Sequence, residues 1–168
     1  MRIGILSDTH DRVPAMKAAV ALLQQAGAEY YIHCGDVGSE RVLEHLAGLP
    51  SAFVFGNNDW DREHLERYAR KLDITCLGNF GELNLGGKLF AILHGDDFRL
   101  KHRLLSEQRH DFLLQGHTHL VQDEMVGKIR CVNPGALYRA REKTVALLET
   151  ATDTLQFFVV SGIIEQGR

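Results

Sequence analysis

"FLLQGHTHLVQD" occupies residues 112–123. An apolar run, Phe112 to Leu114, passes through Gln115 into Gly116, and His117 and His119 follow with one threonine between them. Alternate residues of a strand point the same way, so the two imidazoles alone read equally well as a solvated edge. The other strand ends of the chain decide what the pair is for.

Outward from this stretch, the first half of the chain alternates strand with helix. RIGIL (2–6) reads as a short buried strand. Pro14 opens a helical pattern, a favoured first-turn position, and Met16, Ala19, Val20 and Leu23 recur at helical spacing until Gly27 ends it. YYIHC (30–34) is a second strand, Ser39 is expected to cap a short helix reaching about Ala47, and AFVF (52–55) is a third strand. Asp61 caps a helix with Leu65, Tyr68, Ala69 and Leu72 on one face. Such alternation implies parallel strands with helices outside.

In the second half, ELNLGGKLFAILHG (82–95) reads as a hairpin turning at Gly86-Gly87. Residues 99–109 read as a helix, DFLLQ (111–115) as a strand, and VQDEMVGKIRCVN (121–133) as a hairpin turning near Gly127. TVALLE (144–149) and LQFFVV (155–160) complete the strands. Mixed strands in this number point to two stacked sheets with helices on the outer faces, in a single domain over residues 1–168.

Composition removes several functional classes. The net charge is −3 and no block of Lys or Arg stands out, which argues against tracking a long nucleic-acid backbone. No apolar run approaches a membrane span. The apolar part of MRIGILSDTH is too short for a secretory signal, so a cytoplasmic location is expected. Cys34, Cys76 and Cys131 form no CxxC pair and read as reduced, packed thiols. His45, His64, His102 and His110 fall in or just after helical patterns and read as surface or cap residues, and His33 as a satisfied core or interface histidine.

Five strands end alike. RIGILSDTH ends on Asp8 and His10, YYIHCGD on Gly35-Asp36, and AFVFGNND on Gly56-Asn57-Asn58-Asp59. LFAILHGDD ends on His94-Gly95, and the opening stretch on Gly116, His117 and His119. Any one of these is ordinarily a turn or a surface residue. Five in the same structural position make coincidence a poor account, because ligands of α/β sheets collect at the carboxyl ends of strands. The glycines permit close backbone approach. Oxygen and nitrogen donors without thiolates suit first-row divalent metals. Seven such side chains are too many for one ion and about right for two that share a carboxylate.

The blocks DTH, GD, GNND, HG and GHTH, spread in this order over residues 8–119, resemble the calcineurin-like metallophosphoesterases. NPGA (133–136) resembles an NPGS-like element of their small, single-domain phosphodiesterase branch. The resemblance implies a four-layer α/β/β/α sandwich with two mixed sheets. It implies that Asp8, His10, Asp36 and His119 hold one metal and that Asp36, Asn57, His94 and His117 hold a second, with Asp36 bridging. Manganese is the expected metal, with iron, zinc, nickel, cobalt and magnesium as alternatives. Three departures bear on substrate range and rate rather than on the ligands. Asn58 stands where many members carry a histidine, Asp96 where many carry another, and Ala136 replaces the usual serine.

The implied chemistry is attack of a metal-bridging hydroxide on phosphorus. Two divalent ions, two carboxylates and one hydroxide leave the centre about one unit positive, suited to an anionic ester. Asp36 and Asn58 are the candidate catalytic residues, and Asn58 and Arg139 the candidate substrate contacts. The expected substrate is a small phosphodiester, with neither long nucleic acid nor membrane as partner and homo-oligomerisation left open. Two rival readings share the fold. One is a phosphomonoesterase or nuclease with the same dinuclear site. The other is a weakly catalytic interaction scaffold like the retromer subunit.

Overall fold

Strand β1 (Arg2–Leu6) sorts its side chains into two different cores. Ile3 and Ile5 pack in an apolar seam with Ile32, Val54, Phe90, Ile92, Phe112 and Val132, whereas Leu6 joins Met16, Leu23, Val42, Phe53 and Leu65 on the opposite face. This alternation follows from the two-residue period of a strand buried on both faces. The chain is described from a computed structural model over residues 1–161. The expected domain runs to 168, and residues 162–168 lie outside the described residues.

The first sheet has the order β11-β10-β1-β2-β3-β4. Its members are β1, β2 (Tyr30–His33), β3 (Ser51–Phe53), β4 (Thr75–Cys76), β10 (Thr144–Glu149) and β11 (Thr154–Val159). β1 to β4 are parallel, and β10 and β11 add antiparallel at the edge. The second sheet, β5-β6-β7-β9-β8, contains β5 (Phe80–Leu85), β6 (Lys88–Leu93), β7 (Phe112–Leu114), β8 (Val121–Val126) and β9 (Ile129–Pro134). Here β6, β7 and β9 are parallel, and the hairpins β5/β6 and β8/β9 flank them. Both sheets are therefore mixed, as the sequence implies.

Helices α1 (Val13–Gln25), α2 (Glu40–Leu43) and α3 (Arg62–Lys71) cover the outer face of the first sheet. Helix α4 (Phe98–Glu107) covers the second through Leu104, against Ala91, Leu93 and Leu113. Three apolar cores thus separate four layers in the order α/β/β/α. No helix among the described residues is long and apolar enough to cross a membrane.

Asp61 caps α3 by accepting from His64 N, and Asp97 caps α4 by accepting from Arg99 N and Leu100 N, which starts that helix at Phe98. Ser39 departs from expectation. It makes no side-chain bond to α2, because its hydroxyl donates to Asp11 Oδ1, and the helix gives way to a 3₁₀ turn at Glu44–Leu46. His110 departs too. It is buried rather than superficial, with Nε2 2.7 Å from Glu82 Oε1, since it sits just before β7 and turns in against β5.

Candidate metal centre

β1, β2 and β3 run parallel in one sheet and β6 and β7 in the other, so their carboxyl ends meet along one rim of the sandwich. The loops there turn sharply. Asp8, His10, Asp36, His117 and His119 all adopt left-handed backbone, with φ of 53°, 45°, 57°, 68° and 60°. Asp and His enter that region more readily than most residues, yet a cluster of them marks a strained, functional locality. Two glycines make the close packing feasible. A Cβ on Gly56 would lie 2.1 Å from Asp36 Oδ1, and one on Gly116 would lie 1.8 Å from Ser7 Oγ and 2.5 Å from Asp8 Oδ2.

The ligand-type atoms converge in two groups, each within 4.8 Å: Asp8, His10 and His119, and Asp8, Asp36 and His94. Asp36 Oδ2 lies 3.3 Å from both His10 Nε2 and His94 Nε2, and Asp8 Oδ1 lies 3.2 Å from His119 Nε2. His117 sets its ring 5.1 Å from that of His94, edge to face, and its backbone N–H donates to Asp8 Oδ2. Asn57, Asn58 and Arg139 line the same cavity as His10, Asp36 and His119. Asp8, His10, Asp36, Asn57, Asn58, His94, His117, His119 and Arg139 therefore gather at this rim, whereas Asp96 lines a separate cavity with Arg62 and Asn79. Asp8 stands in both close groups, alongside the Asp36 expected to bridge.

The donor set fits divalent ions on its own evidence. Asp8 Oδ1, His10 Nε2 and His94 Nε2 are buried with no hydrogen-bond partner among the described residues, and they face one another. Unpaired buried polar atoms are costly, and a cation satisfies all three. His94 is oriented for it. Its Nδ1 lies 2.8 Å from Cys34 O, a pure acceptor, so Nδ1 carries the hydrogen and Nε2 presents its lone pair to the cavity.

Without a cation these groups hold protons between them. Burial opposes charge on His94, but the Asp36 carboxylate 3.3 Å away, with the Asp8 charge, outweighs it and raises its pKa to about 9. Burial likewise opposes the Asp36 carboxylate, and the neighbouring His94 ring and the bonds from Asn58 hold it below the usual carboxylate range. Burial lowers His10. His33, behind the rim, bonds Thr9 Oγ1 at 2.7 Å, and burial lowers it to about 3.

Several neighbours hold the loops. Asn58 commits both its Nδ2 and its backbone N–H to Asp36, each at 2.8 Å. Asp59, 2% exposed, accepts from Gly38 N at 2.9 Å and Gly56 N at 2.8 Å, tying the loop after β2 to the loop after β3. Burial pushes its carboxyl up against those bonds. Arg62 reaches back from α3 to Gly56 O and Asp59 O. Asn133, of the NPGA stretch, donates to Gly116 O and Thr118 Oγ1 and so supports the GHTH loop.

Two rim residues escape sequence reasoning. Tyr138 packs its ring 5.0 Å from that of His10, and Arg12 sits 4.6 Å from the centre of the tyrosine ring. The Arg12 guanidinium at its hydroxyl holds the phenol below its ordinary range. Their adjacency to the motifs DTH and NPGA is the only trace of them in the sequence.

Comparison with known proteins adds to this geometry. Residues 1–153 match the family described as the calcineurin-like phosphoesterase superfamily domain. Phosphodiesterase MJ0936 of Methanocaldococcus jannaschii is 29% identical over 155 residues, covering 89% of this chain and 93% of that protein. Phosphodiesterase YfcE of Escherichia coli K12 is 25% identical over 150 residues, covering 82% and 79%. The solved structure of an archaeal phosphodiesterase superposes with a TM-score of 0.88 at 27% identity, over 95% of this chain and 99% of that one.

Proposed function

This chain belongs to the calcineurin-like phosphoesterase superfamily, and on that premise we propose that it is a metal-dependent phosphodiesterase acting on small phosphodiesters. The observation that carries the reading is the set of three buried ligand atoms, on Asp8, His10 and His94, that face one another without hydrogen bonds. Asp8, His10, Asp36 and His119 would hold one ion and Asp36, Asn57, His94 and His117 the other, with Asp36, whose Oδ2 lies 3.3 Å from both His10 and His94, as the shared residue. Two divalent ions, manganese foremost, would supply a hydroxide nucleophile near neutral pH and take up charge on the phosphoryl oxygens.

The protein's own groups do the rest. Asn58 fixes the bridging carboxylate through Nδ2 and offers its amide edge to the cavity that receives the phosphoryl group. Arg139 attracts the anionic ester from the lip of that cavity. The Asp59 carboxylate spends both oxygens on backbone amides, so it is a poor source of a proton for the leaving group. Asn58 cannot supply one near neutral pH either. Esters with acidic leaving groups are therefore the preferred substrates, and a net charge of −3 disfavours long DNA.

The test is metal content together with activity. Manganese-loaded protein should approach two ions per chain and hydrolyse bis(4-nitrophenyl) phosphate far faster than duplex DNA. Asp36→Ala should empty both sites. Two fully occupied sites in that variant would remove the dinuclear assignment. Loaded protein inert toward every diester would favour the scaffold reading.

A further inference from the structure

Arg12, Tyr138 and Arg139 form a cluster beside the proposed centre. Both guanidiniums pack on one tyrosine ring, at 4.6 Å for Arg12 and 5.1 Å for Arg139. The ring in turn rests against His10, and Tyr138 and Arg139 open onto the cavity. Arg139 is held there in left-handed backbone, with φ 48°. Neither cation has a carboxylate within ion-pair distance among the described residues, and what sets the two apart from the other arginines is that they share one aromatic ring at the cavity.

Two guanidiniums gathered on one ring repel each other, and neither is paired with a carboxylate among the described residues. They stand together in a protein whose net charge is −3. A guanidinium fork matches the oxygens of a phosphate, and two forks match the roughly doubly charged phosphomonoester group. The reacting phosphoryl is already served by the ligand cluster, which begins at His10 beside the tyrosine ring. We propose that Arg12 and Arg139, braced by Tyr138, form a subsite for a second, terminal phosphate of the substrate. The preferred diesters then carry a phosphomonoester group besides the bond that is cut. This rests on the phosphodiesterase reading above and narrows it to a substrate class.

The test uses a matched pair, thymidine 5′-(4-nitrophenyl phosphate) with and without a 3′-phosphate, on manganese-loaded protein. The added phosphate should raise kcat/KM by about tenfold or more, mainly through KM, as expected for charge-assisted hydrogen bonds. In the double variant Arg12→Gln/Arg139→Gln the ratio between the two esters should fall close to one, whatever the absolute rates. Each single variant should lose part of it, with folding checked by circular dichroism. Equal rates on the two esters in the wild type, or a ratio that survives in the double variant, would overturn the subsite. So would a gain confined to 4-nitrophenyl phosphate, whose extra charge lies on the reacting phosphorus. Calorimetry with thymidine 3′,5′-bisphosphate against thymidine 5′-phosphate separates the two proposals. A tighter bisphosphate that depends on both arginines sustains the subsite even if no ester is cut, and equal affinities reject it.

Discussion

Asn58 shows how much one side chain can be asked to do. Its Nδ2 is bound to Asp36 Oδ2, so it positions the carboxylate proposed to lie between the ions. It has no proton to give a departing alkoxide, a contribution typically worth ~10²–10⁴-fold. Activity should therefore fall steeply as the leaving group becomes less acidic, and Asn58→His should help alkyl esters more than aryl esters. The measurement is kcat/KM across an ester series in both proteins, with metal content checked. Equal slopes against leaving-group pKa would place Asn58 away from the leaving group. The ligand-type residues themselves were legible in the sequence because each follows an apolar run directly. Asn58's bond to Asp36 was not, because it joins residues 22 apart through a turn that only the fold defines. Arg12 and Tyr138 were hidden for the same reason, as their meeting depends on distance across the rim.

At the scale of loops and strands, Asp59 is the tie. One carboxylate oxygen accepts from the loop that carries Asp36 and the other from the loop that carries Asn57. Asp59→Asn replaces one oxygen with a donor that faces a backbone N–H. Leaving a buried amide unpaired costs about 1–3 kcal/mol, so the variant should melt several degrees lower and release metal more readily to a chelator. An unchanged melting temperature and metal affinity would mean that the tie is slack. Elements with a long apolar period are legible in the sequence. α1 buries Met16, Ala19, Val20 and Leu23, as its spacing requires. β4 was missed because Thr75–Cys76 is too short to show a period. The Ser39 cap failed because Asp11, in a distant loop, takes its hydroxyl. Burial of His110 is illegible in the sequence because its partner Glu82 lies on β5, 28 residues away in the chain.

For the molecule as a whole, two histidines set opposite limits on pH. Burial lowers His33 to about 3, so the stability it contributes is present above its unfolded value near 6.5 and is lost as pH falls toward 3. Burial opposes charge on His94, but Asp36 and Asp8 raise it to about 9, so its contribution is present below 6.5 and is lost as pH rises through 9. Each arm changes stability by at most about 1.4 kcal/mol per pH unit. Metal-free protein should be most stable near pH 6.5, as read from urea midpoints between pH 5 and 9. Metal loading should abolish the alkaline arm, since coordination needs the neutral imidazole. A metal-free protein that gains stability steadily up to pH 9 would contradict this assignment. The architecture has a further consequence. All seven proposed ligands lie in loops beyond the strand ends, outside the strands and helices whose apolar side chains join the four layers. Shape and chemistry are thus inherited on separate terms. Drift in a single rim loop would silence the proposed reaction and also relieve the mutual burial of acid and imidazole, while the sandwich persists. A lineage built on this plan can retire the enzyme and keep its body for other work.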